Sequence, residues 1–162
     1  MDKSAKKTSA FPLTLILRHR KENLKKCSLD GLAFQETIKF FTYPQERLPF
    51  IPNTIMLKCE APVLTEADKG SPLLILDGTW KYAAQMEKYV CSLGPFRARS
   101  LPPLYQTAYP RKQTECPTPV RGLASIEALY IAYHITGRTK EGLLDHYFWK
   151  EAFLQKNAAL FY

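Results

Sequence analysis

Two short stretches of this 162-residue chain carry residue types that suit chemistry at the end of a strand. In Leu76-Asp77-Gly78-Thr79-Trp80 an apolar run delivers a carboxylate, then a glycine that lets backbone approach a ligand, then a tryptophan in the first turn of a predicted helix. In Leu123-Ala124-Ser125-Ile126-Glu127-Ala128 a loop enters a helix whose N-terminal amides suit a ligand carboxylate. Each residue also has a plain structural explanation. Asp77 and Ser125 can be helix caps, Trp80 a core anchor, and Glu127 a first-turn acid favoured by the helix dipole. No P-loop, GxGxxG motif or Ser/His/Asp order competes with these stretches. His134 and His146 fall within helical patterns beside tyrosines and read as packing or surface residues.

A third group is cationic. Arg18, Arg20, Lys21, Lys25 and Lys26 follow the first predicted strand, and Arg97, Arg99, Arg111 and Lys112 lie in a proline-rich stretch. With a formal charge of +8 and a pI near 9.3, they suit a polyanionic partner such as a nucleic acid, held mainly through its phosphates. The alternative is a set of solvated charges.

The elements that must position these groups alternate between strand and helix. Phe11 to Leu17 reads as a strand, Ser28 to Phe41 has a helix-like apolar series, and Thr54 to Leu57 is a short strand fenced by prolines. Leu73 to Leu76 is a fully apolar tetrad, the pattern of a strand covered on both faces. Trp80, Ala83, Met86 and Val90 give one face of a helix over about Thr79 to Tyr89. Pro95, Pro102, Pro103, Pro110, Pro117 and Pro119 then exclude continuous helix. Ser125 is predicted to cap a helix that stops at Gly137, and Thr139 a last helix through Leu143, Leu144 and Tyr147 to about Leu160. The expected class is α/β, one domain over residues 11–162 behind a disordered tail, residues 1–10.

Composition bounds the setting. The 46% hydrophobic content suits a packed, soluble globule, and no apolar run is long enough to span a bilayer. The four cysteines are widely spaced with no histidine at ligand distance, so neither a zinc motif nor a secreted disulfide framework is indicated. No signal peptide is visible, and a reducing, cytoplasmic setting and a monomer are expected.

Asp77-Gly78-Thr79-Trp80, followed by Ala83 and Met86, resembles the signature of DTW-domain proteins, which are tRNA-uridine aminocarboxypropyltransferases. Lys25-Lys26 before Cys27-Ser28, Arg99-Ser100-Leu101-Pro102, Leu123 to Ala128, and Phe148-Trp149-Lys150 with Phe153-Leu154-Gln155-Lys156-Asn157 resemble the sister branch, the aminocarboxypropyltransferases of small-subunit rRNA maturation. The resemblance runs from about Leu15 to the C-terminus. It favours the rRNA branch, because the zinc-type cysteines that begin many DTW proteins are missing. It departs at Lys58-Cys59, where that branch usually has Ser-Pro, at Ala124-Ser125, where it has Ser-Thr, and at Tyr109-Pro110.

The resemblance implies a SPOUT-like fold with a C-terminal trefoil knot, S-adenosylmethionine as cofactor, and transfer of its aminocarboxypropyl group to a uridine-type base of rRNA or tRNA. Carried over by position, Asp77 and Trp80 would line the methionine part. Leu101 would lie near the cofactor, Ser125 would take its carboxylate, and backbone around Leu57 and Leu76 would hold the adenine. Asp77 would either help remove the acceptor proton or only shape the pocket. The competing readings are an RNA-binding assembly factor with weak or lost transfer, and a SPOUT-like RNA methyltransferase.

Overall fold

The computed structural model describes residues 13–21, 29, 32, 35–110 and 123–161. The tail 1–10, the start of the first predicted strand, and Lys25, Lys26, Arg111 and Lys112 lie outside the described residues.

Five parallel strands form one sheet: β1 (Thr14–His19), β2 (Ile38–Tyr43), β3 (Ile55–Leu57), β4 (Leu73–Asp77) and β5 (Arg97–Arg99), in the order β2-β1-β4-β3-β5. Helix α1 (Trp80–Leu93) covers one face; α2 (Ser125–Ile135), α3 (Lys150–Lys156) and α4 (Ala158–Phe161) cover the other. Alternation along the strands divides the core accordingly. Leu15, Leu17, Met56 and Leu74 pack with Met86 and Val90 of α1, while Ile16, Ile38, Ile55, Leu73 and Ile75 pack with Ile126, Leu129, Ile131 and Phe153. The apolar tetrad 73–76 is thus the central strand its composition predicts, paired with β1 and β3.

Three expectations need correction. Ile38 to Phe41 belong to β2, not to a helix: the aromatic and β-branched residues pair with β1 in parallel register, and that pairing overrides the helix-like spacing. Ser125 does not cap α2. It is the first helical residue, Ala124 holds the cap position, and the Ala124 N–H donates to the Glu127 carboxylate at 2.9 Å. The last helix is not continuous and Thr139 does not start it. Residues 141–146 are turns, with Gly142 in the left-handed region (φ 82°), and Asn157 separates α3 from α4. At that break the Asn157 side chain binds the backbone of Gln106, accepting its N–H at 2.8 Å and donating to its carbonyl at 2.9 Å.

Two buried polar groups hold α2 at either end. Near its C-terminus, the Tyr133 hydroxyl lies 2.5 Å from the Thr14 hydroxyl, and Arg138 donates to Thr14 Oγ1 and to the Ser71 carbonyl. At its N-terminus the Glu127 carboxylate, with no exposed surface, accepts from the Thr107 hydroxyl (2.6 Å), the Ala108 N–H (2.8 Å), the Ala124 N–H (2.9 Å) and the Tyr147 hydroxyl (2.9 Å). It is far more than a first-turn acid. Such an anion is tolerated in the interior only because donors surround both oxygens. Glu127→Gln keeps the shape but turns an NH2 group toward two of those donors. It should lower unfolding free energy by about 2–4 kcal/mol, read from urea denaturation; an unchanged midpoint would show that the network does not hold this end of the helix.

Candidate active site

The chain leaves β1 toward β2 at one edge and leaves β4 toward α1 and β5 on the other side, so the crevice at which open α/β sheets take ligands falls, by topology, beyond the carboxyl ends of these two central strands. Arg18 and Asp77 are register partners there. Arg18 Nε donates to Asp77 Oδ2 at 3.2 Å, and the two side chains are only 18% and 7% exposed. The Ser125 hydroxyl, delivered by the first residue of α2, donates to Asp77 Oδ1 at 2.9 Å. The Arg18 guanidinium lies 4.6 Å from the centre of the Phe40 ring, on the neighbouring strand β2.

Asp77 is therefore not the cap of α1. Thr79 occupies that position, without a side-chain hydrogen bond. The two stretches singled out in the sequence meet at this carboxylate, with Arg18 as the third member. Leu57 ends β3 and Leu101 follows β5; both are half-buried on the Asp77 face of the sheet, while Leu76 packs toward α1. Trp80 opens α1, and its side chain lies outside the described part of the chain.

The predicted cationic surface divides. Arg20 and Lys21 are exposed beyond β1. Arg97 and Arg99 instead converge on the buried carboxylate of Asp68, with Nη2–Oδ1 at 2.8 Å and Nε–Oδ2 at 3.3 Å. Asp68 in turn caps its own turn by accepting the Thr65 N–H at 3.0 Å. Guanidinium groups held this way serve first to brace β5.

His19 is not among the residues that the sequence singles out, yet it sits at the mouth of the crevice on the α1 side. Its ring stacks on Tyr82 (3.8 Å between centres, 8° between planes), and its Nδ1 accepts the Lys21 N–H at 3.1 Å. That bond leaves the proton of the neutral ring on Nε2. Gly78 leaves room for this packing: a Cβ there would meet Met86 Cε at 3.2 Å, so that side chain would have to give by a few tenths of an ångström, and the Cβ atoms of His19 and Tyr82 at 3.4 Å. A histidine behind an arginine at the end of a strand is a weak sequence signal, and its partner Tyr82 is distant in the chain.

No protein-family model matches the chain, and no curated protein matches it. Among solved structures, the SAM-dependent rRNA:acp-transferase Tsr3 from Vulcanisaeta distributa superposes with a TM-score of 0.68 over 93% of this chain and 81% of that one, at 24% identity. The two share a fold.

Burial, with Arg20 and Lys21 close by, lowers the His19 pKa below its ordinary 6.5. Protons therefore bind more readily to the unfolded chain, so His19 supports the fold fully above about pH 6.5, and that support is lost as pH falls further. Thermal unfolding followed from pH 7.5 to pH 5 should show falling stability. His19→Phe, which keeps the stack but cannot titrate, should flatten that fall, leaving the part due to His134, whose pKa burial also lowers. An identical pH slope in the variant would remove His19 from this role.

Proposed function

We propose that this chain transfers the aminocarboxypropyl group of S-adenosylmethionine to a uridine-type base of structured RNA, with small-subunit rRNA favoured over tRNA. The observation that carries the reading is the Asp77 carboxylate at the crevice between β1 and β4, held by Arg18 and Ser125, in a fold shared with an enzyme described as a SAM-dependent rRNA:acp-transferase. The C-terminal trefoil knot implied by the family resemblance belongs to the same reading.

The residues suit the group. A sulfonium cofactor with an amino-acid end asks for a carboxylate near its ammonium, donors for its carboxylate and a rigid site, and the crevice supplies Asp77, Ser125 and two paired strand ends. The cofactor supplies an electrophilic methylene carbon. In the transfer, the bond from that carbon to sulfur breaks, a bond to the base nitrogen forms, the nitrogen's proton is lost to a base, and methylthioadenosine departs. The sulfonium methyl is the least hindered of the three carbons, so a site for this transfer would have to hold the amino-acid end such that the methylene carbon, not the methyl, faces the acceptor. Asp77 would help remove the nitrogen's proton or only shape the pocket around the ammonium.

Nucleoside mass spectrometry of rRNA and tRNA from cells with and without the gene tests this directly. Loss of an aminocarboxypropyl nucleoside from one RNA class is expected; loss of a methyl mark instead would assign a methyltransferase, and no change would leave an assembly factor. Trp80→Ala should weaken S-adenosylmethionine binding by about 1–2 kcal/mol in calorimetry, through loss of apolar packing and cation–π attraction; equal binding by a folded variant would make Trp80 a core anchor.

The RNA should approach over Arg20 and Lys21, with Lys25 and Lys26, which follow them in the sequence. Replacing Arg20, Lys25 and Lys26 by alanine should lower the slope of log affinity against log salt by nearly one unit for each phosphate that is no longer neutralised, without changing which RNA is preferred. Titration of labelled rRNA and tRNA fragments across a salt series measures it, and an unaltered slope would place the RNA elsewhere.

A further inference from the structure

Arg18 stands among the cations expected to meet RNA, but its surroundings are those of a ligand site. The side chain is 18% exposed, its guanidinium carbon lies over the Phe40 ring at 4.6 Å from the centre, and its Nε donates to Asp77. It points from a central strand toward the residue at which α2 begins, since Asp77 also binds the Ser125 hydroxyl. We propose that Arg18 is the second pole of the subsite assigned above to Asp77 and Ser125, its guanidinium, with the Ser125 hydroxyl, taking the carboxylate of a zwitterionic α-amino acid end whose ammonium Asp77 holds. This deepens the cofactor assignment above and rests on it.

The electrostatic argument is one of exchange. A sparsely solvated ion pair is an expensive arrangement, and removing either partner leaves an uncompensated charge. A zwitterion entering between the poles preserves neutrality: each protein charge loses one opposite charge and gains another. Both poles are already partly desolvated, so the ligand meets charges that need little further stripping of water. The guanidinium is a planar fork matched to a carboxylate, and the Phe40 face restricts the planes it can adopt. Register fixes the separation of the poles, because Arg18 and Asp77 are paired positions on adjacent strands rather than loop residues. The Ser125 hydroxyl, now donating to Asp77 Oδ1, is positioned to turn to the incoming carboxylate.

The consequence is selectivity for one half of the cofactor. S-Adenosylmethionine carries the zwitterionic end; 5′-methylthioadenosine, which departs after aminocarboxypropyl transfer, lacks it. Calorimetry with both ligands separates this inference from the reading on which it rests. Arg18→Gln should weaken S-adenosylmethionine binding on the order of 10- to 100-fold, the worth of hydrogen bonds to a charged group, and change methylthioadenosine binding by less than about twofold. Arg18→Lys, which keeps the charge and loses the fork, should fall between. Methylthioadenosine binding also reports that the variants fold, and the salt slope for RNA should stay at the wild-type value. If Arg18→Gln binds S-adenosylmethionine as well as wild type does, the subsite is overturned and the cofactor assignment stands. A parallel loss of both ligands would overturn it as well, reducing Arg18 to a structural brace. If the wild-type protein binds neither ligand, the cofactor assignment fails and the subsite fails with it.

Discussion

The parallel pairing of β1 with β4 sets the position of everything else that matters in this fold. These strands lie side by side at the centre of the sheet although Arg18 and Asp77, which pair at their ends, are 59 residues apart in sequence. Register then dictates which side chains share a face. Thr14, Ile16 and Arg18 point to the α2 side with Leu73, Ile75 and Asp77, so one alternation builds an apolar floor and ends it in an ion pair. A slip of either strand by one residue would carry its own charge to the face covered by α1 and break the pair. The apolar core therefore enforces the electrostatics of the crevice, because the burial of Ile16 and Ile75 resists that slip.

Helix α2 reaches the same crevice by a separate route. Its N-terminus is placed by Glu127, which gathers donors from the loop after β5, from its own cap residue and from the turn before α3. Ser125 is two residues away on the same turn, so the orientation of its hydroxyl toward Asp77 follows from that anchor. A buried anion that looks structural thus acts at one remove on the candidate site. The Asp68 carboxylate does a comparable task for β5 by holding Arg97 and Arg99.

Local pattern makes some of this legible and tertiary partnership conceals the rest. The tetrad 73–76 and the spacing of Met86 and Val90 announce β4 and α1 because burial on both faces, or on one, leaves a period in the residues themselves. The stop at Gly137 and the importance of Asp77 and Ser125 are readable too, but not that these two touch. Ile38 to Phe41 carry apolar residues spaced ambiguously, and only the neighbour β1 decides for a strand. The Asn157 side chain finds its partner in the backbone of Gln106, and the fate of Arg18, Arg97 and Arg99 depends on carboxylates elsewhere in the chain. Charge counted along the sequence cannot separate a guanidinium that braces a strand from one that meets a phosphate.

The polar tie beneath α2 has a consequence for how the chain reaches this state. Thr14, at the start of the central strand, meets Tyr133 and Arg138, which are 119 and 124 residues later. Closing so long a loop costs little more than closing a moderate one, since the entropy grows only with the logarithm of length, so the tie is cheap once made. Its burden is kinetic: contact order is high, and such contacts are slow to form. During synthesis β1 and its sheet partners β2 and β4 leave the ribosome well before Tyr133 and Arg138 do. The face of the sheet that α2 covers must then stay open until that helix has been made.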